Sequence, residues 1–302
     1  IYLTFEESCH YSLLSHFHGM YLNSMLAFHC FVSTEHGKLW MCQKWKYHDK
    51  HVKKGIASFK GKTYKHLSMI LDGMDQRKTQ IPYAYNKAKE VADVVAYRTS
   101  IIGVITHGFE ARAYVVEPLW KHDSDLTIEI LCRSLLRILK EGLPLAPVWY
   151  LQMDNCWREN KNQHVMTFLA LLLKLGMFRK IKLNFDLVGH THEDVDQMFE
   201  ALNVRLHRKT IGTVEKLMNL LKDGYKNNNM NVPFYAERLN AVGGYKKWIM
   251  PFERGMHNHT SPHCFKECPS MASYTVLLPF GHVANLSGLF RRECMHWGTI
   301  GA

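Results

Sequence analysis

Three aspartates in this chain stand where metal-assisted phosphodiester chemistry needs them. Asp72 follows the apolar run H-L-S-M-I-L, Asp154 follows V-W-Y-L-Q-M, and Asp196 lies at the start of an amphipathic run beyond G-H-T-H-E-D. Carboxylates gathered at one spot repel one another, so such a cluster persists mainly where a cation neutralises it. Oxygen-only ligands suit Mg²⁺ or Mn²⁺. Two such ions can activate an attacking oxygen and stabilise the leaving oxygen of a phosphodiester. Taken singly, each position is also an ordinary place for an acid, in a turn after a strand or in the first turn of a helix. What singles them out is an acid at all three ends.

The elements that must position these acids follow from hydrophobic period. Residues 66–75 read as a buried strand ending at Asp72, with Gly73 permitting the turn. Pro82 marks an extended segment. Arg98–Gly108 is a second strand, and Ala111–Trp120 a third, close enough for a hairpin. Asp125–Lys140 has helical spacing, with Ser124 or Asp125 as N-cap and Gly142 at C′. Val148–Met153 is the fourth strand. Val165–Leu175 is an all-round apolar helix ended by Gly176. Ile181, Leu183 and Phe185 alternate with polar residues, as in a strand with one wet face. Val195, Met198, Phe199, Leu202 and Leu206 return to helical spacing. Three strands, helix, strand, helix, strand, helix predicts a mixed α/β sheet with helices on its faces. Val214–Leu221 reads as a further short helix, and residues 226–231 as a polar break before short strands and loops.

The formal net charge is +11 over 302 residues. Such a surplus speaks to partners and not to fold, and points to nucleic acid or an anionic membrane. Residues 44–66 hold eight lysines against the single acid Asp49, interleaved with Trp45, Tyr47, Phe59 and Tyr64. Lysines neutralise phosphates and aromatic faces stack on bases; a solvated connector has the same composition. No strongly amphipathic basic helix argues for a membrane surface. The apolar stretch Gly19–Val32 is too short and too polar to span a bilayer and reads as a buried helix. The eight cysteines lack regular spacing and read as reduced thiols of an intracellular protein. The chain begins with Ile, so the lack of a signal peptide says little. Cys9-His10 and His29-Cys30 are weak metal candidates. His257, His259, His263, Cys264 and Cys268 form a looser cluster in which Cys264 and Cys268 have a zinc-compatible spacing but no second matched pair.

Three blocks carry a family resemblance over about residues 60–210: L-S-M-I-L-D-G-M-D-Q with the following I-P, L-Q-M-D-N-C-W-R-E-N-K-N, and V-G-H-T-H-E-D-V-D-Q-M-F. With the element order, they resemble the ribonuclease H-like DDE/DDD transposases, integrases and related nucleases. More specifically they resemble an uncharacterised, transposon-derived eukaryotic domain family. The resemblance implies a five-stranded sheet in the order 3-2-1-4-5. It implies a catalytic domain over 61–212, between a helical, basic region at 1–60 and an accessory region at 213–302. It makes Asp72, Asp154 and Asp196 the catalytic metal ligands for Mg²⁺ or Mn²⁺. Asp75 competes with Asp72, and Glu193 or Asp194 with Asp196; the spacing from Gly189 prefers Asp196, although this superfamily often has Glu there. Asn155, Asn160, Lys161 and Asn162 are expected to hold the phosphate backbone or support the acids, and His190 and His192 to orient a water or a carboxylate. DNA is the expected partner, with Lys53, Lys54, Lys60 and Lys62 along its backbone. The expected setting is nuclear, without membrane, with homo-oligomers allowed. A structure-directed nuclease and a domesticated, non-catalytic DNA-binding protein are the alternatives.

Overall fold

The computed structural model describes residues 50–61, 64–75, 79–83, 96–185, 194–207, 209–225, 232–253 and 264–267. Helix α1 spans residues 50–60. Strand β1 (His66–Gly73) follows, then the short β2 (Gln80–Ile81) and β3 (Tyr97–Arg98), which pair as a separate ribbon. Next come β4 (Ser100–Thr106), β5 (Glu110–Val116), α2 (Ser124–Lys140), β6 (Val148–Met153), α3 (Gln163–Lys174), β7 (Lys180–Phe185) and α4 (Asp194–Leu206). The chain continues through α5 (Val214–Gly224), β8 (Phe234–Arg238), α6 (Tyr245–Ile249) and β9 (Cys264–Glu267).

Seven strands form one sheet in the order β8-β5-β4-β1-β6-β7-β9. The inner five reproduce the expected 3-2-1-4-5. β1, β4 and β5 are antiparallel neighbours, whereas β1, β6 and β7 are parallel. A meander followed by parallel crossovers, with helices on both faces, is the ribonuclease H-like arrangement. The sheet is wider than the expected five strands because residues 213–302 supply both edges. β8 pairs with β5 in parallel and β9 with β7 antiparallel. Residues 234–238 and 264–267 are therefore built into the sheet.

Local sequence explains the helix ends. Asp123, one residue before the two expected caps, accepts from the Asp125 backbone N–H at 3.0 Å and starts α2. Its Oδ1 satisfies a donor that the helix leaves without an intrahelical partner. Gly142 ends α2 with φ +74°, a left-handed conformation that costs glycine little.

Strand alternation sends odd and even side chains of β1 to opposite faces. Leu67, Met69 and Leu71 join Trp149, Leu151, Met153, Ile181 and Leu183 beneath α2 and α3. Ile70 joins Ile101, Ile105, Ala113 and Val115 beneath α4 and α5. At Gly103 a Cβ atom would lie 2.3 Å from Met198 Cε and 2.8 Å from Phe199 Cε1, so only glycine lets α4 approach this closely. This contact fixes the height of α4 over the sheet, and with it the position of Asp196.

Residues 50–60 of the lysine-rich segment form a packed helix. α1 buries His51, Gly55 and Ser58 and exposes Lys50, Lys53 and Lys60, with Lys54 half-buried. A Cβ on Gly55 would come within 2.7 Å of Ser68 Cβ. His51 stacks on Tyr150 at 3.8 Å, and Ser58 Oγ accepts from the Lys65 and His66 backbone N–H groups. Helical period missed this segment because its buried stripe is made of polar or small residues.

Candidate functional site

The register brings two of the three aspartates together. Leu71 pairs with Met153 across the parallel β1–β6 ladder, so the next residues, Asp72 and Asp154, stand side by side where the strands end. By alternation both belong to the sheet face that carries Ile70, α1 and α4. Asp72 sits opposite Gly103 on its other side, and its Oδ1 accepts the Gly73 N–H at 2.7 Å. Asp75 lies beyond the strand and is exposed.

Asp154 is half-buried. Burial pushes its carboxyl above the ordinary aspartate value, the nearby Glu159 adds to this, and the Asn155 N–H opposes it. Glu159 goes the other way: the His122 imidazole, 3.9 Å from its carboxylate, holds it below the ordinary glutamate value despite its burial. No ion pair reaches Asp154 from another described residue. Next to it, the Asn155 side-chain oxygen is buried and accepts no hydrogen bond. A desolvated carboxylate and an orphan oxygen, beside a second carboxylate, are oxygen donors of the type that suits a divalent cation.

Asp196 lies on α4, within about one turn of the level of Phe199, and hence of Gly103 and Asp72. Arg205 and Leu202 touch α5 at Gly224. Nine residues separate Asp196 from Arg205, about two and a half turns, which puts Asp196 on the side of α4 turned away from α5. That side faces the β1–β6 half of the sheet. Among the described residues, however, no group of three or more His, Cys, Asp or Glu side chains is close enough to hold a metal ion together. Asp194, the competing acid, is engaged elsewhere: its Oδ2 lies 3.0 Å from His107 Nε2, and His107 Nδ1 lies 2.9 Å from Ser68 Oγ. His107 and Ser68 are buried. This Ser-His-Asp chain has the contacts of a hydrolase triad, but Ser68 lies beneath Gly55 of α1, out of reach of a substrate. It pins the first turn of α4 to the sheet. His107 went unnoticed in the sequence because 87 residues separate it from Asp194.

Of the two expectations for N-K-N, the phosphate-backbone one needs correction. Asn160 and Lys161 are only 4% and 2% exposed, so neither lies along a phosphate backbone. Asn160 Nδ2 donates to the Asp154 carbonyl at 3.3 Å, while its Oδ1 accepts from Thr127 Oγ1 at 3.0 Å. Lys161 Nζ lies 5.4 Å from the centre of the Phe185 ring. Asn162 caps α3, accepting from the Val165 N–H at 3.1 Å and donating to the Trp157 carbonyl at 3.1 Å. All three therefore shape the loop after Asp154. Lys53 and Lys60 are exposed on α1, on the acids' side of the sheet. Ser68 and Tyr150, which α1 covers, are four residues before Asp72 and Asp154, or about 13 Å along the strands. Lys182 Nζ lies 5.3 Å from the Tyr150 ring centre, extending this basic surface. Lys62, His190, His192, Glu193, residues 1–49, and His257, His259, His263 and Cys268 lie outside the described residues; Cys264 begins β9.

The sheet order and its flanking helices thus define a ribonuclease H-like α/β fold. The chain belongs to the family described as Domain of unknown function (DUF7869), whose model matches residues 89–276. The matched segment contains Asp154 and Asp196; Asp72 precedes it. No curated protein and no solved structure matches the chain. No helix among the described residues is long and apolar enough to cross a membrane.

Proposed function

We propose that this chain is a transposon-derived, DDE/DDD-type transposase or integrase-like domain that cleaves or joins DNA phosphodiester bonds with Mg²⁺ or Mn²⁺. The observation that carries the reading is the β1–β6 register, which sets Asp72 beside Asp154 at the ends of the two central parallel strands. Mg²⁺ is commonly held by one or two carboxylates, with substrate phosphates completing its shell. Asp72 and Asp154 would hold the ions, the Asn155 oxygen would complete or support the set, and Asp196 would add the third carboxylate. When bound, the metal polarises the phosphoryl oxygens and lowers the pKa of the attacking hydroxyl. The half-buried setting of Asp154 limits water around the acids, which strengthens charge interactions there. Gly103 and the His107–Asp194 contact set the height and first turn of α4, and so present Asp196. The exposed lysines of α1 would track the DNA backbone without reading its sequence. DNA as the substrate implies a nuclear setting.

The test is supercoiled-plasmid nicking and oligonucleotide strand transfer by the full chain in Mg²⁺ or Mn²⁺. The expected result is metal-dependent cleavage that Asp72→Asn and Asp154→Asn each abolish. Cleavage without joining identifies a structure-directed nuclease. Activity unchanged in Asp154→Asn refutes the reading. One observation favours a non-catalytic DNA-binding protein instead, namely that the described residues form no three-ligand group. DNA affinity that is indifferent to metal and to both substitutions would establish that reading.

A further inference from the structure

The loop from Asp154 to α3 displays an indole in water. Trp157 is 73% exposed. Arg158 beside it has a side chain 62% exposed. The loop is nevertheless fixed from within. The Asn160 and Lys161 N–H groups both donate to the Cys156 carbonyl, at 2.8 and 3.0 Å. Asn162 Nδ2 donates to the Trp157 carbonyl at 3.1 Å and lies 3.4 Å from that of Arg158. Asn160 ties the loop back to the Asp154 carbonyl, and Glu159 lies 3.9 Å from His122. The backbone of Trp157 is therefore held while its ring is left uncovered, and the fold gains little from that ring.

We infer that Trp157, with Arg158, is a stacking platform for an unpaired base of the DNA strand held at the acids. This inference rests on the proposed function and narrows its substrate to DNA with unpaired nucleotides at or next to the scissile phosphate. Trp157 lies three residues after Asp154, a backbone reach of about 10 Å. A base on the indole thus belongs to a nucleotide close to the phosphate at Asp72 and Asp154. Both faces of a base in intact duplex are stacked on its neighbours, so a protein ring needs an unstacked base. The chemistry of the surroundings favours nucleic acid: Arg158 follows Trp157, pairs with Glu159 at 3.4 Å and keeps most of its side chain in water, where it can meet an anionic strand. Such stacking tolerates any base, since every base offers a π face.

The full chain is titrated, without divalent metal, with single-stranded, gapped and fully paired oligonucleotides carrying 2-aminopurine. Strong quenching and tighter binding are expected for the unpaired 2-aminopurine. Trp157→Ala should lose the quenching and weaken binding about tenfold. Trp157→Phe should keep most of both. Circular dichroism and the melting temperature confirm that the variants fold. Equal binding and quenching by wild type and Trp157→Ala, or equal affinity for paired and unpaired oligonucleotides, overturns the proposal. So does a wild-type dimer that Trp157→Ala converts to monomer with DNA binding intact, which assigns the ring to a contact between copies. The two readings fail separately. Quenching without metal-dependent cleavage rejects the enzyme and keeps the platform, whereas cleavage without quenching does the reverse.

Discussion

Carboxylates are handled in opposite ways at one edge of this sheet and at its centre. Around β5, α2 and β8, each buried acid meets an arginine supplied by the chain. Arg112 Nε and Nη1 donate to Glu110 and Glu237 at 2.9 and 2.8 Å. Arg133 Nε and Nη1 donate to Glu129 and Glu237 at 2.6 and 2.7 Å. Glu129 also accepts from the Tyr245 hydroxyl at 2.8 Å and the Gly243 N–H at 3.2 Å. These contacts fasten edge strand β8 and helix α6 to the sheet. At the ends of β1 and β6, two aspartates stand side by side instead, and burial and Glu159 both disfavour the charge on Asp154. Acids that serve the fold have their cation built in. Asp154 has no such cation among the described residues.

The contrast can be broken by mutation. Arg133→Ala leaves buried Glu129 without its cation and Glu237 with Arg112 alone, and should destabilise the protein by about 3 kcal/mol in urea unfolding. Asp154→Asn should leave stability unchanged or raise it, because it removes a desolvated charge while retaining most of the side chain's shape. If Asp154→Asn destabilises as much as Arg133→Ala, Asp154 belongs to the structural class.

Gly103→Val tests how α4 is placed. Its side chain would collide with Met198 and Phe199, and overpacking of this kind costs about 1–3 kcal/mol. If α4 carries a working acid, DNA cleavage should fall further than the folded fraction does; an equal fall in both makes Gly103 a packing residue only.

Much of this was legible in the sequence, for identifiable reasons. The runs before Asp72 and Asp154 are short, apolar and bounded by turn residues, and β1 and β6 end within a residue of the acids. The two edge strands were not legible. β8, F-Y-A-E-R, is half-exposed and lacks an apolar run, and its residues gain their strand character only by pairing with β5. The N-K-N motif misled because residue type does not report burial. Asn160 and Lys161 are polar side chains turned inward by the same loop that turns Trp157 out.

The smallest effect concerns pH. Glu159 is held below its unfolded value of 4.5 in the folded chain, chiefly by the neighbouring His122 imidazole. The folded state therefore binds fewer protons, and the group's contribution is present above pH 4.5 and lost as pH falls through its lower folded value. Glu159→Gln should cost less than about 1 kcal/mol at pH 6 and nothing at pH 2–3, as measured by urea midpoints across that range. A loss that persists unchanged at the lowest pH contradicts the pairing.

Most direct of all is a Mn²⁺ titration of the full chain followed by thermal unfolding. A site that binds the folded state alone stabilises it by about 2.7 kcal/mol at one hundred times its dissociation constant. Wild type and Arg158→Ala should show this rise, while Asp72→Asn and Asp154→Asn should each lose most of it. A rise of the same size in all four proteins, or none in wild type, contradicts a metal centre at the ends of β1 and β6.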